Sequence, residues 1–416
     1  MRIAFLLFIA ISLFVQTAVS ALVPLSPVGG QKVALVPDAQ KKVMALPTLA
    51  DRLRLFRDDK ANGKVLKNDK FWRKSLPLVL EVLATADEPG PWKVMIGKRP
   101  DLSDARTIYV ITGKLDPSTG RVIEGGVTGD VARLEVPWAN LEVGTRYYWR
   151  VGCRGKCSWD CHPKHGCTNC TVYAETPVST FVTEDVAPRW IALEGRVGNV
   201  RDLGGRTTSD GRRVRQGLVY RGQGLNDNSA TGEIPGRNRL TVEDVRYLTG
   251  ELGIRTDLDL RGPWETADMA VSPLGEGVRL VVRSSPCYKG IFDAAGRKTM
   301  AENFRLFCDR ANYPIYFHCI GGADRTGSLA YVLNAVLGVS RRELETDWET
   351  TFYPRIPDVE PDPGFWRRES HFNDGFAAYG VPDTSWNERV VLYLKDCGIT
   401  DAEIAAVRDI LLEGCP

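Results

Sequence analysis

The stretch Ile315-Tyr316-Phe317-His318-Cys319-Ile320-Gly321-Gly322-Ala323-Asp324-Arg325-Thr326-Gly327 constrains this chain more than any other. Ile315-Tyr316-Phe317 is an apolar run of the kind that forms a buried strand. Beyond the glycines, Leu329, Val332, Leu333, Val336 and Leu337 recur at i, i+3, i+4, i+7 and i+8, the stripe of a helix. Gly338 stands where a helix C-cap is expected. The chain therefore runs from a strand end through a short loop into a helix N-terminus. There, backbone N–H groups and the helix dipole favour an anion.

The residue types in that loop suit phosphoryl transfer. A cysteine attacks phosphorus only as a thiolate. Its ordinary pKa of ~8.5 falls by several units beside a helix N-terminus and an arginine. Arg325 offers a planar fork that holds two phosphate oxygens. Gly321 and Gly322 let N–H groups turn inward without a Cβ in the way. Thr326 can give its hydroxyl to the Cys319 sulfur, and His318 reads as a neutral orienter of the loop. The phosphate loop so defined comprises His318, Ile320, Gly321, Gly322, Ala323, Asp324 and Arg325 around Cys319.

Three further segments precede it: Gly198-Asn199-Val200-Arg201-Asp202-Leu203-Gly204-Gly205, Tyr220-Arg221-Gly222-Gln223, and Asp257-Leu258-Asp259-Leu260-Arg261 with Glu265 four residues on. In this order, with the His-Cys loop and its Asp-Arg-Thr-Gly end, they resemble the bacterial secreted tyrosine/dual-specificity phosphatase family. That family is a branch of the cysteine-dependent protein tyrosine phosphatases. The resemblance runs from about Arg189 to Pro416. It implies an α/β domain with a central sheet flanked by helices, a cysteinyl-phosphate intermediate, and no cofactor or catalytic metal. Many members carry Lys where Ala323 stands, so the extra cation that would favour doubly phosphorylated lipid head groups is missing.

The resemblance also places a general acid. Asp259, the Asp of the D-L-R pattern, is the first choice, and Asp324 within the loop is the second. Arg201 and Asp202 read as structural support for the loop, and Glu265 as a partner of Arg261.

At 416 residues the chain has room for two or three domains. Its formal charge of +2 gives no reason to expect nucleic acid or a polybasic membrane surface. Met1-Arg2, the apolar run Ile3 to Val15 and Ala18-Val19-Ser20 form a signal-peptide pattern with cleavage expected before Ala21. The run is shorter than the ~20 residues that span a bilayer. The expectation is a secreted or periplasmic protein without stable membrane insertion.

Residues 21–186 read as all-β. Strand patterns cover Val79–Leu83, Trp92–Ile96, Thr107–Val110, Arg146–Val151 and Ser179–Thr183, with a first strand near Pro24–Pro27. A charged stretch from Asp51 to Lys74 reads as a helical insertion. Leu141 to Val151 resembles the late-strand signature of fibronectin type III domains, which implies an immunoglobulin-like sandwich.

Within it, Cys153, Cys157, Cys161, His162, His165, Cys167 and Cys170 crowd into one hairpin-tip insertion, 153–170. A disulfide knot, a structural zinc site and a reactive redox pair all fit that spacing. In an exported chain, disulfides are the default for every cysteine but Cys319, and Cys397 with Cys415 is one candidate pair.

A phosphatase acting on phosphorylated protein, phosphotyrosine or mixed, is the leading reading. Inositol phosphates or phosphoinositides are the alternative substrates. Loops of the phytate-degrading type usually carry Gly before the Arg, so Asp324 tilts the choice towards protein or lipid. A sulfurtransferase also uses a loop cysteine but lacks the Asp-Arg-Thr-Gly end. A non-catalytic binding protein would not need Cys319, Arg325 and Thr326 together.

Overall fold

The computed structural model describes residues 22–48, 50–52, 54, 76–84, 92–110, 113–115, 122–125, 127–128, 131–136, 139–154, 172–226, 239–266, 269–351 and 370–414. The signal-peptide pattern, most of the charged stretch before residue 75, and Cys157, Cys161, His162, His165, Cys167, Cys170 and Cys415 lie outside them. Two compact units emerge, one drawn from 1–31, 79–136 and 147–181, the other from 32–78, 137–146 and 182–416.

The first unit is built of strands whose side chains alternate between core and solvent. Leu78–Leu83 buries Leu78, Leu80 and Val82, and Val131–Val136 buries Ala132, Leu134 and Val136. One sheet has the order Val23–Ser26, Leu78–Leu83, Val131–Val136, Val127–Thr128. The second has the order Gln31–Val33, Ser179–Thr183, Arg146–Arg154, Trp92–Gly97, Arg106–Val110, with Val172–Glu175 also paired to Arg146–Arg154. Trp92 and Trp149 are fully buried, and the Trp149 indole N–H donates to the Pro27 carbonyl at 2.9 Å. Cys153 lies on the Arg146–Arg154 strand, in register with Trp92 and Ala174.

The second unit carries a five-stranded sheet in the order Arg201–Asp202, Val219–Gln223, Ile315–Cys319, Thr256–Asp259, Arg279–Val282. The last four are mutually parallel and the first is antiparallel. Ile315–Cys319 is the central strand and every residue in it is buried, as a strand covered on both faces requires. Ile315, Phe317 and Cys319 join the larger core with helices Asp324–Val336, Trp386–Asp396 and Asp401–Leu411. Tyr316 joins a smaller cluster with Val200, Tyr220, Leu248 and Ile254. The sheet's C-terminal edge thus collects Gln223, Asp259 and Cys319, where open α/β sheets hold their ligands.

The chain before the β-rich region also contributes to this unit. Helix Asp38–Ala45 sends Val43 into the larger core, and Arg342 donates to the carbonyls of Met44 and Leu46. Arg52 pairs with Glu349 on helix Arg341–Thr350, both side chains 1% exposed.

Two expectations are corrected. The segment Phe352 to Tyr379 reads as a long irregular loop; residues 352–369 lie outside the described ones, and Ser370–Ala377 is a helix. Phe376 holds it, wholly buried against Phe292 and Tyr393, a tertiary contact that no local pattern announces. Cys287, Cys308 and Cys397 are thiols, not disulfides. Cys308 and Cys397 pack as small hydrophobes against the core, and burial pushes both thiols up to about 11.

Burial pushes Glu349 up to about 7 against the opposing pull of Arg52. A folded value above the ordinary 4.5 gives stability that is full below about pH 4.5 and lost as pH rises through about 7. Arg52→Ala strands this carboxyl, a change that costs about 3–5 kcal/mol when the survivor is charged. Thermal melts of the variant are expected to fall further below wild type at about pH 8 than at about pH 6, and an equal deficit at both would refute the pairing.

Candidate active site

Cys319 ends the central strand, 3% exposed, and the chain turns through 320–323 into helix Asp324–Val336. Gly322 has φ +63°, and a Cβ there would lie 2.3 Å from the Gly222 carbonyl oxygen, so the turn is closed to other residues. Burial alone would raise the Cys319 thiol. Arg325, the Thr326 hydroxyl, and the backbone N–H groups of Thr326 and Ala323 overcome it and hold the thiol below its ordinary value. Thr326 Oγ1, fully buried, has no nitrogen or oxygen partner of its own, which leaves it to the sulfur.

Arg325 is one-fifth exposed, and its fork is held by Glu265 through two bonds, Nη1 to Oε2 at 2.5 Å and Nη2 to Oε1 at 2.7 Å. Burial opposes the guanidinium charge, and Glu265 and the Cys319 thiolate restore and deepen it. This corrects the expected Glu265–Arg261 pair. The short helix Pro263–Thr266 directs Glu265 to Arg325 and lets it accept the Gly262 N–H at 2.8 Å.

Arg261 instead grips Asp259, with Nε and Nη2 on the carboxylate at 2.6–3.0 Å and its own N–H on Oδ1 at 3.0 Å. Burial would raise Asp259, but His318 and Arg261 hold it below its ordinary value. Wholly buried and clasped on both oxygens, Asp259 braces the ground beneath the loop.

His318 lies between two carboxylates, Nε2 at 2.9 Å from Asp257 and Nδ1 at 3.7 Å from Asp259. Burial disfavours its charge, yet Asp259 and Asp257 outweigh it and raise the ring above its ordinary value. Asp257 is fixed on the other side by the Ser272 hydroxyl at 2.6 Å.

Asp324 opens the helix, half-buried, and its Oδ1 accepts from the Tyr288 hydroxyl. Ile320, Gly321 and Ala323 complete the loop through their backbone, and Ala323 is 1% exposed.

Asn199, Arg221 and Asp347 were not assigned roles from the sequence, yet they set the loop's shape. The Asn199 amide donates to the carbonyls of Gly321 at 3.1 Å and Gly322 at 2.9 Å. Its φ of +55° is a conformation that Asn tolerates better than most residues. Arg221 donates to the Gly322 carbonyl at 2.8 Å and to Asp347 at 2.6 Å. Arg201 joins Asn199 to Asp347, and Arg206 binds Asp347 at 3.0 Å. Arg201 thus supports the loop, whereas Asp202 pairs with Arg189 and the N–H groups of Gly204 and Gly217.

Residues 191–357 match the Tyrosine phosphatase family. That span contains Asn199, Arg221, Asp259, Glu265, the cysteine loop and Asp347. A protein of Cupriavidus necator, provisionally named a tyrosine-protein phosphatase, is 28% identical over an alignment of 188 positions that covers 38% of this chain. The chain spans 64% of that relative's length. Among solved structures, the core catalytic domain of the Saccharomyces cerevisiae PP-IP phosphatase Siw14 is 19% identical. The alignment has a TM-score of 0.23 and covers 38% of this chain and 88% of that one.

No helix among the described residues is long and apolar enough to cross a membrane. Of the residues considered for zinc, Cys153 alone is described, and its backbone is strand.

Asn199→Ala releases two loop carbonyls that must face away from an anion. Turnover of an aryl phosphate is expected to fall about 10–100-fold, the equivalent of one or two lost buried hydrogen bonds. The rate at which iodoacetate alkylates Cys319 should fall with it. Unchanged values of both would show that the loop holds its shape without Asn199.

Proposed function

We propose that this chain hydrolyses phosphomonoesters through a cysteinyl-phosphate intermediate, with phosphorylated protein, phosphotyrosine or mixed, as its substrate. The observation that carries the reading is the Cys319 thiol, held below its ordinary value against burial by Arg325 and Thr326, in a loop whose carbonyls are tied back by Asn199 and Arg221. Backbone N–H groups are then left for the three equatorial oxygens of the phosphoryl group, and the guanidinium neutralises charge there. The sulfur attacks phosphorus as the ester P–O bond breaks and a proton passes from the Asp324 carboxyl to the leaving oxygen. Water then attacks the phosphocysteine, gives up a proton to the same carboxylate, and releases the thiolate.

Asp324 supports the role of proton donor better than Asp259. Both oxygens of Asp259 are committed to Arg261, and its carboxyl is wholly buried, whereas Asp324 is half-buried at the mouth of the loop helix. Ala323 supplies no extra cation beside the loop, which favours a single phosphate monoester over a polyphosphate. The strand orders of the first unit's two sheets support a fibronectin type III-like sandwich within residues 21–186. The pattern of residues 1–20 supports export, to the periplasm or outside the cell.

Cys319→Ser is expected to abolish hydrolysis of phosphotyrosine peptide with the fold intact, since an alcohol there is not ionised near neutral pH. Wild-type turnover should persist in EDTA and exceed that on inositol hexakisphosphate. Activity surviving in Cys319→Ser would sink the mechanism, and a preference for the inositol compound would move the substrate class.

Asp324→Asn should cost about 10²–10⁴-fold with poor leaving groups and far less with good ones. Asp259→Asn should lower turnover evenly across leaving groups. The opposite pattern would return the acid to Asp259.

A further inference from the structure

The contact that Asp324 makes outside its own helix bears on how its proton is delivered. Resting on Asp324 as the acid, the geometry points to Tyr288 as the residue that positions it. The Tyr288 hydroxyl donates to Asp324 Oδ1, which sets the rotation of the carboxyl group. As the proton leaves for the ester oxygen, negative charge grows on Asp324, and a phenol already aimed at it strengthens its hydrogen bond. Tyr288 keeps its own proton throughout. The bond that forms is sulfur to phosphorus, the bond that breaks is phosphorus to the leaving oxygen, and the transferred proton is that of Asp324.

The placement of Tyr288 is over-determined, as a positioning role requires. Its φ is +56°, a strained conformation for an aromatic residue. It is held there by its N–H on Ser328 Oγ at 3.3 Å, and the same hydroxyl donates back to the Asp324 carbonyl at 2.8 Å. Its ring stands edge-on to Trp348, centroids 5.7 Å apart. Trp348 in turn lies so close to Gly327 that a Cβ there would meet its ring at 2.3 Å. Backbone, hydroxyl and ring are thus all registered on the first turns of the helix that carries Asp324 and Arg325. Strain maintained by several independent contacts beside a reactive loop is the pattern of a pre-organised site.

The test is Tyr288→Phe in the full mature chain, against aryl phosphates of rising leaving-group pKa. The ring and its packing on Trp348 are retained, so the melting temperature and the alkylation rate of Cys319 are expected to hold. The value of kcat should fall about 10–100-fold for the poorest leaving groups and little for the best, the loss of one hydrogen bond to a charged group. In an Asp324→Asn background the same change should have no further effect.

A loss that ignores the leaving group, or that is equally large in both backgrounds, would overturn the assignment. If Asp324→Asn itself shows no leaving-group dependence, the acid reading fails on its own, independently of Tyr288. Should Tyr288→Phe melt early, Ser328→Ala loosens the backbone anchor while sparing the phenol. It should give the same leaving-group trend at smaller amplitude, and a flat trend there would also overturn the proposal.

Discussion

Carbonyl oxygens that face away from the anion are the condition on which this site rests. A loop of five peptide units between Cys319 and a helix presents donors inward only if its acceptors are satisfied elsewhere. Asn199 and Arg221 satisfy those of Gly321 and Gly322, and a single buried carboxylate ties Arg221 directly and Asn199 through Arg201. Asp347 receives Arg201, Arg206 and Arg221, and although burial would raise it, the three guanidiniums hold it well below the usual carboxylate range. The arrangement has a cost, since Arg206 Nε and Arg221 Nε are buried without partners. It also leaves an excess of positive charge behind the loop, and Arg221 and the Cys319 thiolate favour one another's charged forms.

A second buried network lies under the neighbouring strand. Asp257 and Asp259, two residues apart on Thr256–Asp259, point the same way by strand periodicity and take His318 between them. Arg261 closes the chain on Asp259 and extends it to Asn226 at 2.6 Å. The parallel register that sets Asp259 beside His318 therefore fixes the residue immediately before Cys319. Both networks work through geometry as much as charge. The planar guanidinium forks of Arg221, Arg261 and Arg325 each hold a carboxylate or a carbonyl in a direction that a lysine ammonium would leave loose.

The strand, the loop and its helix were legible because each is local. Apolar residues in sequence, two glycines and a 3.6-residue stripe report the backbone directly, and the buried positions Leu329, Val332, Leu333, Val336 and Leu337 follow from the stripe. A capping box of Thr400 and Glu403 likewise starts helix Asp401–Leu411 through a contact only three residues long. Glu265 was misjudged because four residues from Arg261 looks like an intrahelical pair, yet the helix begins only at Pro263. Asp347 left a fainter signal. It falls in line with Leu344, Trp348 and Thr351 on the buried side of an otherwise polar helix, and a carboxylate there demands cations from elsewhere.

By itself the sequence determined the chemistry on offer: a thiol at a strand end, an arginine six residues on, and glycines where N–H groups must converge. Those are relations between neighbours in the chain, and chain geometry enforces them. Which carboxylate clasps Arg325, which is clasped by Arg261, and which is left half-buried at the mouth of the loop are relations across 60 residues or more in the cases of Glu265 with Arg325 and Asp257 with His318. Only the parallel sheet decides them, because its register sets Cys319 beside Gln223 and His318 beside Asp259. Burial then forces every charge so placed to find the partner that the fold, not the sequence spacing, has put within reach.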